Sequence, residues 1–223
     1  MPSTNDLYYA WLRNQLGLPG TNPLSVNDLE QLFYTNPNYG VAGNRRYAFN
    51  KYYAIDTPGG NTTIAAPVLN DLNVFPFTVG KTQSFDRIAL AVTTAATAAS
   101  GSVMRLGLYD TASNGDPQNL LANMAPTSTE TTGTKEGAIA VQLTPGIYWL
   151  GCVIQVSIAA LALRGVGAAW SPYVSFDDPA NNASGCGYIA PGVNGALPSP
   201  FPTSHANAGI FSGSCHRVML RAA

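Results

Sequence analysis

The stretch "LTPGIYWLGCVIQ", residues 143–155, decides how the chain is read. Pro145 and Gly146 are strong turn chemistry, since Pro pre-sets its φ and Gly takes conformations other residues avoid. An unbroken apolar segment follows. At the period of 2 expected of a strand, Ile147, Trp149 and Val153 fall on one side, and Tyr148, Leu150 and Ile154 on the other. A strand apolar on both faces lies between two layers of protein or against a neighbouring subunit. The segment therefore predicts a packed β-sandwich, with the second layer left open.

Working outward, the same period recurs. "VFPFTV" (74–79), "FDRIALAVTT" (85–94), "SVMRLGLYD" (102–110), "GAIAVQL" (137–143), "IAALALRG" (158–165) and "YVSF" (173–176) read as strands, with "RRYAFNKYYAI" (45–55) before them and "CHRVMLRA" closing the chain. "TPGGN", "ASNGDP" and "DDPANN" are the turns between them. Many short strands without helical patterns between them predict a mainly β, jelly-roll-like sandwich over 37–223. In "SVMRLGLYD", Met104, Leu106 and Leu108 face inward, and Val103, Arg105, Gly107 and Tyr109 face away, the pattern of a half-buried strand. Residues 177–214 are Pro- and Gly-rich yet keep Tyr188, Ile189, Leu197, Phe201, Ile210 and Phe211. They predict an extended arm packed on a surface.

The first 36 residues differ. Leu7, Tyr8, Trp11, Leu12 and Leu16 recur at helical spacing before Gly17, and Ser25 with Asp28 opens a second stripe of Leu29, Leu32 and Phe33. Two short helices form a hairpin over 1–36. Helices this short are marginal in water, so the hairpin must dock. Tyr8, Trp11, Leu29 and Phe33 are the candidate docking residues.

Composition narrows the function. Lys and Arg number 11 against 12 Asp and Glu, a net charge of -1, which offers no basic field for nucleic acid or an anionic membrane. Charged residues make up 10% of the chain, where soluble proteins carry about a quarter. Such a surface packs readily against copies of itself. The N-terminus lacks the basic and apolar regions of a signal peptide, and no apolar run reaches membrane-spanning length. Asn61 and Asn182 stand in sequons, which read as chance for a chain not sent to a glycosylating compartment.

Catalytic chemistry is sparse. Cys152, Cys186 and Cys215 form no disulfide framework. Ser214, Cys215 and His216 adjoin one another, but adjacency makes no nucleophile–base pair, and no nucleophile elbow exists. Cys186, His205, Cys215 and His216 could supply four zinc ligands, at a spacing that matches no zinc knuckle. Asp177 and Asp178 suit a calcium loop and an Asp-Asp-Pro turn equally. Arg45 and Arg46, the one basic pair, read as a salt-bridge anchor. Trp170, Tyr173 and Phe176 could stack on sugar rings, though packing is the stronger reading. No cofactor or metal is expected, and no enzyme.

Two regions resemble a known family. "DLYYAWLRNQLGLPG" with "LSVNDLEQLFY" resembles the N-terminal segments of tailed-bacteriophage virion proteins, particularly minor tail proteins. "FDRIALAVTTAATAASGSVMRLGLYDTASNGDPQNLL" followed by "AIAVQLTPGIYWLGCVIQ" resembles a β-sandwich module of phage tail fibres and minor tail proteins. The resemblance implies a structural or adsorption role in the virion, made in the host cytoplasm. It implies a homotrimer that contacts other virion proteins and, through a host-surface glycan, the cell. The chain lacks the collagen-like or coiled-coil repeats of long fibres, which leaves capsid decoration as an alternative. A carbohydrate-binding module is the second alternative.

Overall fold

The computed structural model describes residues 47–55, 60–65, 67–96, 101–156, 159–167, 185–202, 209–212 and 214–223. The expected hairpin of 1–36 and the "YVSF" strand lie outside them. The described residues form fourteen strands and no helix. They are β1 (Tyr52–Ala54), β2 (Asn61–Ala65), β3 (Leu72–Val79), β4 (Gln83–Thr94), β5 (Val103–Thr111), β6 (Pro117–Asn123) and β7 (Thr127–Ser128). Then come β8 (Gly133–Leu143), β9 (Gly146–Gln155), β10 (Ala162–Val166), β11 (Gly185–Ala190), β12 (Gly209–Ser212), β13 (Cys215–His216) and β14 (Met219–Ala222).

The strands make two antiparallel sheets of seven. In the first, β4 is the spine: it pairs with β8 along one edge, and with β14 and then β10 along the other. β1 extends β14, and β2 and β13 pair with β10. The second sheet runs β12-β11-β3-β9-β5-β6, with β7 also on β5. The turn at Thr144 and Pro145 joins β8 of the first sheet to β9 of the second. It therefore hands the chain from one sheet to the other and closes no hairpin.

The inner faces share one core. Phe75 and Phe77 of β3, Met104, Leu106 and Leu108 of β5 and Leu150, Cys152 and Ile154 of β9 meet Phe85, Ile88 and Leu90 of β4 and Leu220 of β14. Phe77 and Phe85 touch edge to face across the two sheets, ring centres 5.8 Å apart. Burying an aliphatic or Phe side chain contributes about 1.5–3 kcal/mol, so this layer carries most of the fold's stability.

Several expectations change in detail. The described part of "RRYAFNKYYAI", residues 47–55, yields a strand only at Tyr52–Ala54, because residues 49–50 form a turn with Asn50 at φ 59°. "CHRVMLRA" is two strands, β13 and β14, on different neighbours. Residues 177–214 are not strandless. They contain β11 and β12, and β11 approaches β3 closely because Gly187 lies against the Val74 carbonyl, where no Cβ would fit. β5 is not half-buried: Leu106, Gly107, Leu108 and Tyr109 are all buried, so its outer face is covered as well. β2 and β6 escape the sequence pattern because they lie at the surface: apart from Pro117, none of their residues is fully buried, and polar residues make up about half of each.

Candidate functional site

The outer face of the second sheet is where the opening segment's other side goes. Leu72 and Val74 of β3, Trp149 and Val153 of β9, Tyr109 of β5 and Ala190 of β11 form a second buried cluster. Its cover is residues 191–202 of the same chain, which bring down Leu197 and Phe201, with Val193 beside them. Trp149 is 0% exposed within one chain. The second layer over 147–155 is thus intramolecular. Of the two covers the sequence allows, a second layer of protein or a neighbouring subunit, the chain supplies the first: one face is filled by the opposite sheet and the other by this strap.

Glycines make the seat. Gly107 and Gly151 are directly opposite each other on β5 and β9. A Cβ on Gly107 would stand 2.5 Å from Leu197 Cδ1, and one on Gly151 would stand 3.3 Å from Tyr109 Cε2. The paired glycines leave a dent that the Leu197 side chain and the Tyr109 ring occupy. Phe201 meets Tyr109 edge to face at 5.7 Å, and Trp149 packs on Tyr188 at 5.2 Å.

Polar contacts fasten the strap at three places. The Val193 amide donates to the Asn70 carbonyl, 2.8 Å. Gln155 Nε2 donates to the carbonyls of Val193 and Gly195, 2.8 Å each, and its Oε1 accepts from Arg105 Nε, 2.8 Å. At the edge of β6, the Phe201 amide donates to the Gln118 carbonyl, 2.6 Å, and the Leu120 amide to Ser199 Oγ, 3.2 Å. The strap thereby covers both a sheet face and a strand edge that would otherwise template aggregation. Beneath it, the Tyr109 hydroxyl and the Trp149 indole N–H are buried without a hydrogen-bond partner. Burial pushes the Tyr109 phenol well above its ordinary range.

A second polar constellation lies on the first sheet. Arg221 and Arg87 are directly opposite on β14 and β4. Arg221 makes a two-pronged contact with Asp86, Nε to Oδ1 at 2.9 Å and Nη2 to Oδ2 at 2.6 Å. This hydrogen bond holds the Asp86 carboxyl below its ordinary range, against a smaller opposing effect of burial. Tyr52 donates to Glu136 on the same network, and burial, then that carboxylate, raises the Tyr52 phenol.

The residues singled out in the sequence scatter. Tyr8, Trp11, Leu29, Phe33, Trp170, Tyr173, Phe176, Asp177, Asp178 and His205 lie outside the described residues, as do Arg45 and Arg46. Cys152, Cys186 and Cys215 are buried in the inner core. Burial drives the Cys152 thiol far above its ordinary range, away from nucleophile chemistry. His216 is 3% exposed with its ring against Phe75 at 5.8 Å, and burial lowers its pKa to about 4, so it is neutral at pH 7. Among the described residues, no three of His, Cys, Asp or Glu are grouped to hold a metal. No helix among them is long and apolar enough to cross a membrane. Asn61 of the first sequon is exposed on β2, and its Oδ1 accepts from Arg217 Nη1, 2.7 Å. Of the residues that build the strap site, Leu197 and Phe201 fall in the arm expected to pack on a surface, but no motif joins them to Tyr109 or Gln155. Gly107 is a further signal, since a glycine inside a strand marks a close approach. No family model, curated protein or solved structure matches the chain.

Proposed function

We propose that the protein is a non-enzymatic virion structural protein of a tailed bacteriophage, displayed on the particle as a minor tail or fibre-like component. The reading rests on the resemblance of "RLGLYD" and "LTPGIYWLGCVIQ" to a tail-protein module. The two segments form neighbouring strands, β5 and β9, paired over Val103–Tyr109 and Trp149–Gln155 in the second sheet, as one module would require. In this reading, the body is a jelly-roll-like sandwich and the hairpin of 1–36 attaches it to the particle. Self-association as a homotrimer belongs to the same proposal, and its support is the low surface charge, which leaves little repulsion between copies.

Negative-stain imaging of particles labelled with antibody to this chain tests the reading. Label on the tail supports it; label on the capsid supports a decoration protein instead; unlabelled particles overturn both. Glycan-array binding without particle label would favour a carbohydrate-binding module. Sedimentation equilibrium at micromolar concentration tests the trimer, and a 23.4 kDa species rejects it.

A further inference from the structure

We infer that the 191–202 strap is a lid that opens as a unit while the two sheets stay folded. Its construction differs from that of everything beneath it. In the second sheet, β9 is held by continuous ladders on both sides, to β3 and to β5, and β5 also pairs with β6 across two register shifts. The strap has irregular backbone and starts from the Pro191–Gly192 turn with Gly192 at φ 80°; among the described residues, its hydrogen bonds to the sheet are those at the Asn70 carbonyl, at Gln155 and at the β6 edge. A segment with few anchors and no ladder belongs to the low-stability end of a protein's local openings.

The closed state also carries an internal penalty. The Tyr109 hydroxyl and Trp149 indole N–H are sealed under the strap without partners, and a buried polar group that lacks its hydrogen bond raises the free energy of the state that buries it. Opening returns both groups to water. Closing recovers the burial of Leu197 and Phe201 and the two Gln155 bonds. The opposing contributions act at one place and leave the rest of the core untouched, because the inner core shares no residue with the strap cluster. Gln155 is the latch: its side chain bonds two strap carbonyls at once, while Arg105 holds the other end of its amide in place.

Amide hydrogen exchange on the full chain decides the matter. The Val193 and Phe201 amides, both hydrogen-bonded in the closed strap, should exchange at least about a hundredfold faster than those of Leu150 and Cys152 in β9. Gln155→Leu should speed the two strap amides about tenfold further, and the β9 amides, which exchange through global unfolding, by no more than the same factor, so that the gap between the two sets remains. Leu197→Ala, confined to the strap, should do the same and guards against a Gln155 variant that fails to fold. Strap and β9 amides exchanging at one common rate, in the parent and in Leu197→Ala alike, would overturn the lid.

Discussion

Gly107 and Gly151 face each other across β5 and β9, and the two Cβ atoms they lack are the space in which Leu197 and the Tyr109 ring sit. A glycine pair in mid-strand weakens a sheet locally, since it loses backbone entropy and offers no side chain to pack. Here, that cost is offset by a third layer seated on the sheet's outer face.

The glycines are not equivalent under substitution. Gly107→Ala pushes a Cβ against the end of the Leu197 side chain, which can yield, and should cost about 1 kcal/mol. Gly187→Ala drives a Cβ into the Val74 backbone carbonyl, which cannot yield without breaking the β3–β11 pairing, and should cost about 3 kcal/mol or more. Urea denaturation of both variants checks the order. Equal losses would mean that the strap is as rigid as the sheet.

Tyr109→Phe removes a buried hydroxyl that has no partner, so it should leave stability unchanged or raise it slightly. Trp149→Ala empties the same cluster and should cost about 3–5 kcal/mol. A loss above about 1 kcal/mol in Tyr109→Phe would show that the hydroxyl is bonded after all.

His216 makes the fold acid-sensitive. Its pKa falls to about 4 in the folded chain from about 6.5 unfolded, so below pH 6.5 the unfolded chain binds more protons. Its contribution is fully present above pH 6.5 and is lost as pH falls towards 4, a total of about 3 kcal/mol. Asp71, whose carboxyl is raised by burial, acts in the opposite sense near the acid end of that window. His216→Phe, compared with the parent by denaturation at several pH values, should flatten the slope between pH 6.5 and 4. An unchanged slope would place the acid sensitivity elsewhere.

Asp86→Asn removes the carboxylate that lies against Arg221 and leaves Arg221 directly opposite Arg87. Like charges across a strand pair repel, so the variant should melt at a lower temperature than the parent. The pair is partly exposed, so the difference should shrink on adding about 0.5 M salt. A salt-independent loss would point to geometry and away from charge.

Much of the fold can be read directly from the chain. The two-sided apolar pattern of 147–154 fixes β9 as buried on both faces, and the structure divides its side chains as the period of 2 requires. The Pro145–Gly146 turn and the strands around 74–79, 85–94 and 137–143 are legible for the same reason: alternation reports which side chains leave water. Alternation does not report what covers them. The cover of Trp149 and Tyr109 comes from Leu197 and Phe201, in a Pro-rich segment whose irregular backbone has no period to read. β11 is hidden in that region because Gly187 serves the close approach to β3 and its neighbours Gly185 and Cys186 are small, which leaves too few large apolar side chains to mark a strand. Local sequence determined which faces had to be buried. Only tertiary structure decided that the chain buries them itself, because that choice depends on residues as far apart in sequence as Tyr109 and Phe201 meeting in space, and no local preference encodes such a meeting.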